Sequence, residues 1–505
     1  MPRPSVQDFK RKKILYTEPL DFSCIRQLLE VFAGASGLAT NLDKCTITPI
    51  RCDDADVDQV LHVFPCRIQP FQLTYLGAPL STSRLARADE QHFVDKVAAR
   101  IPTWKGKLLT SVGRATLAKS TLSAIPVHTS ICCALSPWAI REIDKRRRAF
   151  LWAGADTVQG GNCRVAWPVV CLPKELGGLG LPDLKTMGAA LRLRWEWQRR
   201  NDPSAPWAGL PCRTDTATIA MFRASVRVEL GSGDLARFWT DNWLPCGPIC
   251  LAAPDLFSAV GRRRRGRSVR EALMARRWTR DITGATTAAV IADYLMLWDV
   301  LQGVQLQPGI DDRFIWKWSA NGTYDAASAY RAFFHGTTGL AGAREVWRVC
   351  CPPKVKFFFW LALRKRLWTA ERRWRHGLQQ HADCLLCGQE DETCDHLLVA
   401  CVFSREIWYR ILSAVGSHHT APSQSDTLVD WWLGARKQVP RALSRGFDSL
   451  VLLVSWELWK ERNRRTFDGI CATTTQVLRR IRAEGEEWIA AGFSKLSPLF
   501  ALASG

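Results

Sequence analysis

The sequence predicts a mainly helical protein with a minor share of sheet. Three observations carry this. Apolar residues recur at helical spacing in most segments, strand-like runs are few and short, and glycine and proline punctuate the chain between helical stretches. In chain order, Ile25, Leu28, Leu29 and Phe32 fall at i, i+3, i+4 and i+7, and Gly34 and Gly37 stop that helix. Thr46–Ile50 and Phe71–Leu76 read as short strands. Phe93, Val97 and Ile101 form a second helical stripe, closed by Pro102. Ile140, Ile143, Phe150 and Leu151 form a third, with Lys145 to Arg148 projecting from the other faces. Leu184, Met187, Leu191 and Trp195 give a fourth, and Val477, Ile481 and Trp488 one near the end. Gly160–Gly161 and Gly177-Gly-Leu-Gly180 separate helices, Gly261 to Arg270 reads as an exposed linker, and residues 416–428 read as a loop. There is no fixed-period repeat.

At roughly 150 residues per domain, 505 residues suggest about three domains. Hydrophobic residues make up 47% and charged residues 23%, enough to bury an ordinary core. The net charge of +21 and the 23 tryptophans are unusual, and they point to a polyanionic partner, RNA or DNA, bound through its phosphates. The opening segment Met1–Lys13 is polar and basic, unlike a secretory signal. The longest apolar runs, Leu450–Val454 and Phe357–Leu363, fall far short of the ~18 residues that span a bilayer, so no membrane partner is expected. An intracellular protein follows, nuclear or cytoplasmic, with most of its 18 cysteines reduced. Arg262 to Arg267 suits nuclear entry and a basic linker equally well. Cys132–Cys133 and Cys350–Cys351 read first as small buried apolar residues.

The strongest local chemistry is Cys384-Leu-Leu-Cys387, then His396, then Cys401, a C-x2-C-x8-H-x4-C spacing. Two thiolates separated by two residues form a tight knuckle, and a histidine and a cysteine complete a tetrahedral soft set suited to Zn²⁺. Four protein ligands leave no open position, so the ion would be structural. A lone C-x2-C would read as scattered free thiols; four ligands in a polar loop do not. Gly388 suits the turn, and Cys394 is an alternative to His396 as fourth ligand. His396 and Cys401 are five apart, so an ideal helix would separate them, and the helix must start or break between them.

Around that cluster, Trp316-Lys-Trp-Ser-Ala-Asn-Gly-Thr-Tyr324, Ala327-Ser-Ala-Tyr330, Val346–Trp347, Pro352-Pro-Lys-Val-Lys-Phe-Phe-Phe-Trp360 and Trp408 resemble the zinc-binding domain that follows the polymerase in plant LINE-type (non-LTR) retrotransposon reverse transcriptases. Phe32–Lys44 is similar to the palm segment downstream of the polymerase active site, and Tyr75–Leu80 to the primer-grip hairpin. Trp104–Arg114 is similar to the start of the thumb, Leu172–Leu184 and Arg237–Trp243 to the connecting region, and Trp459–Phe467 to the tail. The resemblance implies a truncated palm remnant at 1–88, thumb-like helices at 89–155, a helical connector at 156–310, the zinc-binding domain at 311–415 and a helical tail at 416–505. It also implies zinc ligation by Cys384, Cys387, His396 and Cys401.

The family's polymerase chemistry needs two Mg²⁺ held by carboxylates from an upstream Asp and a Tyr-x-Asp-Asp box, and no such box occurs here. Asp53–Asp54 and Asp311–Asp312 lack the tyrosine and the order, and both read as surface loop residues. Asp54-Ala-Asp-Val-Asp58 fails as an EF-hand, because Gln59 holds the glycine position and Pro65 the bidentate glutamate position. Lys44 matches a palm lysine near the incoming nucleotide, and equally suits a solvated turn. No P-loop, nucleophile elbow or HExxH pattern occurs, and no catalytic residue or small-molecule substrate is expected. The expectation is a truncated reverse transcriptase derivative that binds nucleic acid without sequence preference. Lys105, Lys107, Arg114 and Lys119 would grip the backbone from the thumb-like helices, and Lys354, Lys356, Arg364, Lys365 and Arg366 from the knuckle region. Phe358, Phe359 and Trp360 read as core before they read as base platforms. The alternatives are a fragment or wrongly started frame of an active RNA-directed DNA polymerase, and a non-binding relic or domesticated interaction module.

Overall fold

The computed structural model describes residues 19–49, 53–69, 73–75, 78–80, 85–101, 103–208 and 214–503. Helix accounts for 59% of the chain and strand for 4%, so the mainly helical expectation holds. The chain divides into two compact units, residues 1–90 and 91–505.

In the first unit the helix Pro19–Ser36 lies against the helix Asp54–Val63, and the Arg26 guanidinium donates to the Val63 carbonyl at 2.9 Å. Gly34 sits inside the first helix; the stop is Gly37, at φ +71°. Leu73–Tyr75 and Ala78–Leu80 pair antiparallel with Leu73 opposite Leu80, and Thr46–Ile47 pairs in parallel with Arg67–Ile68. The strands are shorter than expected, and residues 50, 70–72 and 76–77 lie outside the described residues. Of the predicted stripe, Ile25, Leu28 and Phe32 are exposed among the described residues and Leu29 is half-buried. Asp53 and Asp54 open the second helix, which leaves no calcium loop there. Lys44 is exposed at the end of a short turn.

The second unit holds two apolar cores. One joins the helices Arg87–Ala99 and Pro137–Ala153 to Pro353–Leu363, Val402–Ala414, Leu428–Gln438, Ser444–Asn463 and Thr474–Ala490. The predicted stripes Phe93, Val97, Ile101 and Val477, Ile481, Trp488 are all buried here. In Pro353–Leu363 every residue from Phe357 to Leu363 is buried, so this helix is apolar all round and sits inside the core. Each such side chain contributes about 1.5–3 kcal/mol on leaving water. Phe358, Phe359 and Trp360 are therefore core residues, as expected.

The other core gathers residues 190–329. Its only strands among the described residues are Val226–Glu229 and Arg313–Trp316, antiparallel with Val226 opposite Trp316. Four-residue strands carry too little alternation to be seen in the sequence. The helix Leu184–Asn201 serves both cores, and its buried positions are Leu184, Gly188, Ala189, Ala190, Arg192 and Leu193. The predicted Leu191 and Trp195 are only half-buried. Small residues at 188–190 let the helices Val127–Cys132 and Ala326–Ala332 pack on this one, which shifts the buried stripe.

Two sequence readings are corrected. Arg147 was expected to project with Lys145–Arg148, but it is fully buried. It donates to Ser123 Oγ and the Pro182 carbonyl, both at 2.8 Å, and to Asp144 Oδ1 at 2.6 Å. The long side chain reaches the Leu181–Asp183 turn, and those acceptors offset the burial of its charge. Asp312 was read as a surface residue, but it is buried. Its Oδ1 accepts the Gly231 and Gly233 amides and its Oδ2 the Leu235 and Ala236 amides, at 2.9–3.0 Å. The loop 231–236 makes no ladder of its own, so its inward amides need this carboxylate.

The basic tract Gly261–Arg270 is exposed at Arg262–Arg264 but anchored beyond them. Arg265 lies over the Phe257 ring and Arg267 pairs with buried Asp281 at 2.8 Å. Among the described residues no helix is long and apolar enough to cross a membrane.

Candidate metal centre and cationic surface

The cysteine loop is built from its backbone outward. The Cys384 amide donates to the Glu390 carbonyl at 2.9 Å, and the Gly388 amide to the Cys384 carbonyl at 2.7 Å. Gly388 has φ +67°, a conformation a side chain would strain. This knuckle sets Cys384 and Cys387 side by side. The chain then winds wide through His396–Ala400, and the Cys401 amide reaches back five residues to the His396 carbonyl at 2.7 Å. A wide turn carries residues five apart to one side. Cys401 itself is extended, at φ −56° and ψ 135°, and starts the helix Val402–Ala414. The expected break therefore takes the form of one wide turn followed by a new helix. Ser404 Oγ and Trp408 Nε1 take the Leu397 and Leu398 carbonyls at 2.6 and 2.8 Å.

Sequence spacing and geometry select the same four side chains. Cys384 Sγ lies 3.9 Å from Cys401 Sγ, and Cys387 Sγ lies 3.3 Å from His396 Nε2. All four donor atoms lie within 4.8 Å of one another. Tetrahedral zinc, with bonds of about 2.3 Å to sulfur and about 2.0 Å to nitrogen, sets its donors about 3.5–3.8 Å apart, so the cage fits that ion. Cys384 and Cys401 are fully buried. Cys394 is also buried but stands outside the cluster, facing the Leu367 backbone, and burial pushes its thiol up to about 12. Of the two candidates for the fourth position, it is His396 whose side chain joins the other three.

The donors are electrostatically primed. Hydrogen bonding from Cys384, then from His396, pulls the Cys401 thiol below its ordinary range against the effect of burial, while the same contact and burial raise Cys384. Burial alone would lower His396, but the Cys401 and Cys387 sulfurs outweigh it and push the imidazole up to about 9. Protons held in this way between buried sulfurs and imidazole are those a divalent cation displaces.

Sequence reasoning missed the groups that hold the cage. Glu390 Oε2 lies 3.0 Å from His396 Nδ1, which directs Nε2 to the cage, and Gln424 Nε2 donates to Glu390 Oε1 at 2.8 Å. Glu390 was detectable as an acid between the second cysteine and the histidine. Arg465 Nη1 donates to the Leu385 and Leu386 carbonyls at 3.0 and 3.3 Å, clamping the knuckle from the tail. Fully buried Glu392 accepts from Arg462 Nε at 2.8 Å and from the Ala370 amide at 2.7 Å. Nothing in the local sequence marks either arginine as a partner.

The expected phosphate-gripping residues divide. Lys105 falls in the helix Thr103–Leu108, and its side chain lies outside the described residues. Lys107, Lys119, Lys354 and Arg366 are exposed. Arg364 donates to the Gly177 carbonyl, and Lys365 pairs with Asp395 at 2.6 Å, so both serve the fold. Lys356 reaches the Trp347 carbonyl at 3.4 Å. Lys119 and Lys356 converge with Lys174, a residue not anticipated, whose ammonium is lowered by burial and then by these two neighbours. Arg114, Arg164, Arg366 and Arg372 crowd similarly: burial first, then like charge, lowers Arg164 and Arg372. Nine tryptophans among the described residues are buried in the cores, and Trp239, Trp316, Trp360, Trp408 and Trp432 among them have hydrogen-bonded indole N–H groups. Much of the tryptophan excess is thus structural.

Residues 324–408 match the family described as zinc-binding in reverse transcriptase, a span that includes all four donors. The chain is also 25% identical over 432 residues to an Arabidopsis thaliana protein named "Putative ribonuclease H protein". The match covers 76% of this chain and 65% of that relative, so the chain spans about two thirds of the relative's length.

Proposed function

We propose that the chain is a derivative of a LINE-type retrotransposon reverse transcriptase that binds RNA or DNA on a zinc-stapled helical scaffold and does not itself polymerise nucleotides. The observation carrying this reading is the closed cage of Cys384, Cys387, His396 and Cys401 within a segment similar to zinc-binding in reverse transcriptase. Four protein donors leave no site for substrate, so the ion would supply shape and not chemistry. The basic side supports a polyphosphate partner. Lys119, Lys174 and Lys356, and likewise Arg114, Arg164 and Arg372, lie close enough that like charge lowers Lys174, Arg164 and Arg372, with Glu175 only partly offsetting it at Lys174, a self-repulsion that a phosphate backbone relieves.

Affinity for a single-stranded oligonucleotide should therefore fall about a hundredfold or more between roughly 50 and 200 mM salt, as several phosphate contacts release counterions. Fluorescence anisotropy across that range measures it, and a flat salt profile would remove the electrostatic basis of the reading.

Catalysis is the second test. The chain contains no Tyr-x-Asp-Asp. Asp312 already has both carboxylate oxygens engaged by four amides, so Asp311–Asp312 supports no metal pair. Primer extension on an RNA template with Mg²⁺ is expected to yield no product. DNA synthesis by this polypeptide would replace the proposal with that of a working polymerase. The nuclease activity in the relative's name is said of that protein alone and forms no part of the proposal.

A further inference from the structure

The thumb-like segment, the knuckle-side helix and the long tail helix enclose a cavity of about 300 Å³. Its walls are aromatic: Phe357 and Phe358 from Pro353–Leu363, Trp456 and Trp459 from Ser444–Asn463, and Trp368 from the loop between them. Trp456 and Trp459 are three apart, so they share one helix face. The Phe358 ring meets them at centroid distances of 5.1 and 5.9 Å. The remaining surface is cationic or neutral. Arg164 and Lys354 line the cavity, with Thr110 and Ser111 opposite, and no lining residue is acidic. Arg372 sits behind Trp368, its guanidinium 4.3 Å from the ring centre.

Two groups here have no internal role. Arg164 is half-buried at the cavity wall and forms no ion pair among the described residues; burial, then Arg114 nearby, pushes its guanidinium below the ordinary range. The Trp456 indole N–H is enclosed and has no acceptor. A buried donor left unmatched costs stability, and a cation at the cavity wall with no ion-pair partner is available to an anion from outside. An aromatic wall beside them calls for a flat ring. Both demands are met by a single nucleotide, and a cavity of this size excludes a base pair.

We infer that this cavity receives one unpaired nucleotide of a single-stranded nucleic acid, its base against the Trp456 and Trp459 indoles and its phosphate at Arg164 and Lys354. The inference rests on the nucleic-acid-binding reading above and adds strand preference and position to it. The cavity would select strands whose bases are free, while the lysine surface near Lys119 and Lys174 holds backbones of either kind.

The test uses the full chain and fluorescein-labelled oligodeoxythymidine, alone and annealed to its complement, read by anisotropy and by quenching of intrinsic tryptophan fluorescence. Arg164→Gln and Trp456→Leu are each expected to weaken single-strand binding about tenfold, with duplex binding nearly unchanged, the size of losing one stacked base or one charged contact. Arg164→Gln should also leave the thermal midpoint nearly unchanged, because no ion pair inside the protein is lost; an arginine with a structural role would lower it. Wild-type binding that both variants retain would overturn the cavity assignment and leave the broader function standing. Loss in Trp456→Leu without loss in Arg164→Gln would indicate an apolar guest, such as a partner protein's side chain, and would equally overturn it. Failure of the wild type to bind either oligonucleotide at low salt would remove both readings.

Discussion

Replacing Cys384 with serine is expected to abolish stoichiometric zinc in the purified protein and to unfold the loop around residues 383–401. Wild type should carry about one zinc per chain by elemental analysis. The serine variant should carry none, and hydrogen exchange should rise across the knuckle and the start of the helix Val402–Ala414. The effect is large because a structural zinc site contributes ~10–16 kcal/mol of apparent folding free energy. The knuckle Cys384–Gly388 is centred on the donor cage with Leu385 largely in solvent, whereas Leu386 and Leu397–Val399 pack into the core, so the loss should be greatest at the knuckle. Cys394→Ser is the matched control, since that buried thiol stands outside the cage, and its zinc content should equal wild type. A metal-free wild type, or a Cys384→Ser protein that keeps its zinc, would exclude the site.

Asp312→Ala should destabilise the second core by about 4 kcal/mol or more. The substitution leaves four amides, those of Gly231, Gly233, Leu235 and Ala236, without an acceptor in a mostly buried loop. Each unmatched buried donor costs about 1–3 kcal/mol, reduced where water can enter. Urea unfolding followed by tryptophan fluorescence reads this core well, because Trp239, Trp278 and Trp316 are inside it. Asp311→Ala, one residue earlier and exposed, should stay within about 0.5 kcal/mol of wild type. Equal midpoints for the two variants would show that the carboxylate does not organise the loop.

These two sites mark what could be read in the sequence. The zinc donors were legible because C-x2-C-x8-H-x4-C is a local code: ligand type and spacing alone nearly fix the geometry. The helical stripes at Phe93, Val97, Ile101 and at Val477, Ile481, Trp488 were legible for the same reason, since periodicity is local. Asp312 was not, because its partners lie some eighty residues upstream and are backbone groups, which look alike in any sequence. Arg147 was misread because an arginine among charged neighbours ordinarily faces water, and only the distant Ser123 and Pro182 acceptors bring it inward. The strands Val226–Glu229 and Arg313–Trp316 failed through brevity. The tryptophan count misled in part: nine of these rings among the described residues are buried in the cores, and the ones that line a cavity, Trp368, Trp456 and Trp459, are distinguished by surroundings that the sequence does not show.

The clamp from Arg465 to the Leu385 and Leu386 carbonyls has a consequence in time. A ribosome makes the chain from its N-terminus, so the four donors emerge long before the arginine that closes their loop from outside. Until the helix Ser444–Asn463 and the turn after it have been synthesised, Glu392 also lacks Arg462, its buried counter-charge. The loop that carries the donors is therefore complete in sequence well before the two arginines that brace it from outside exist.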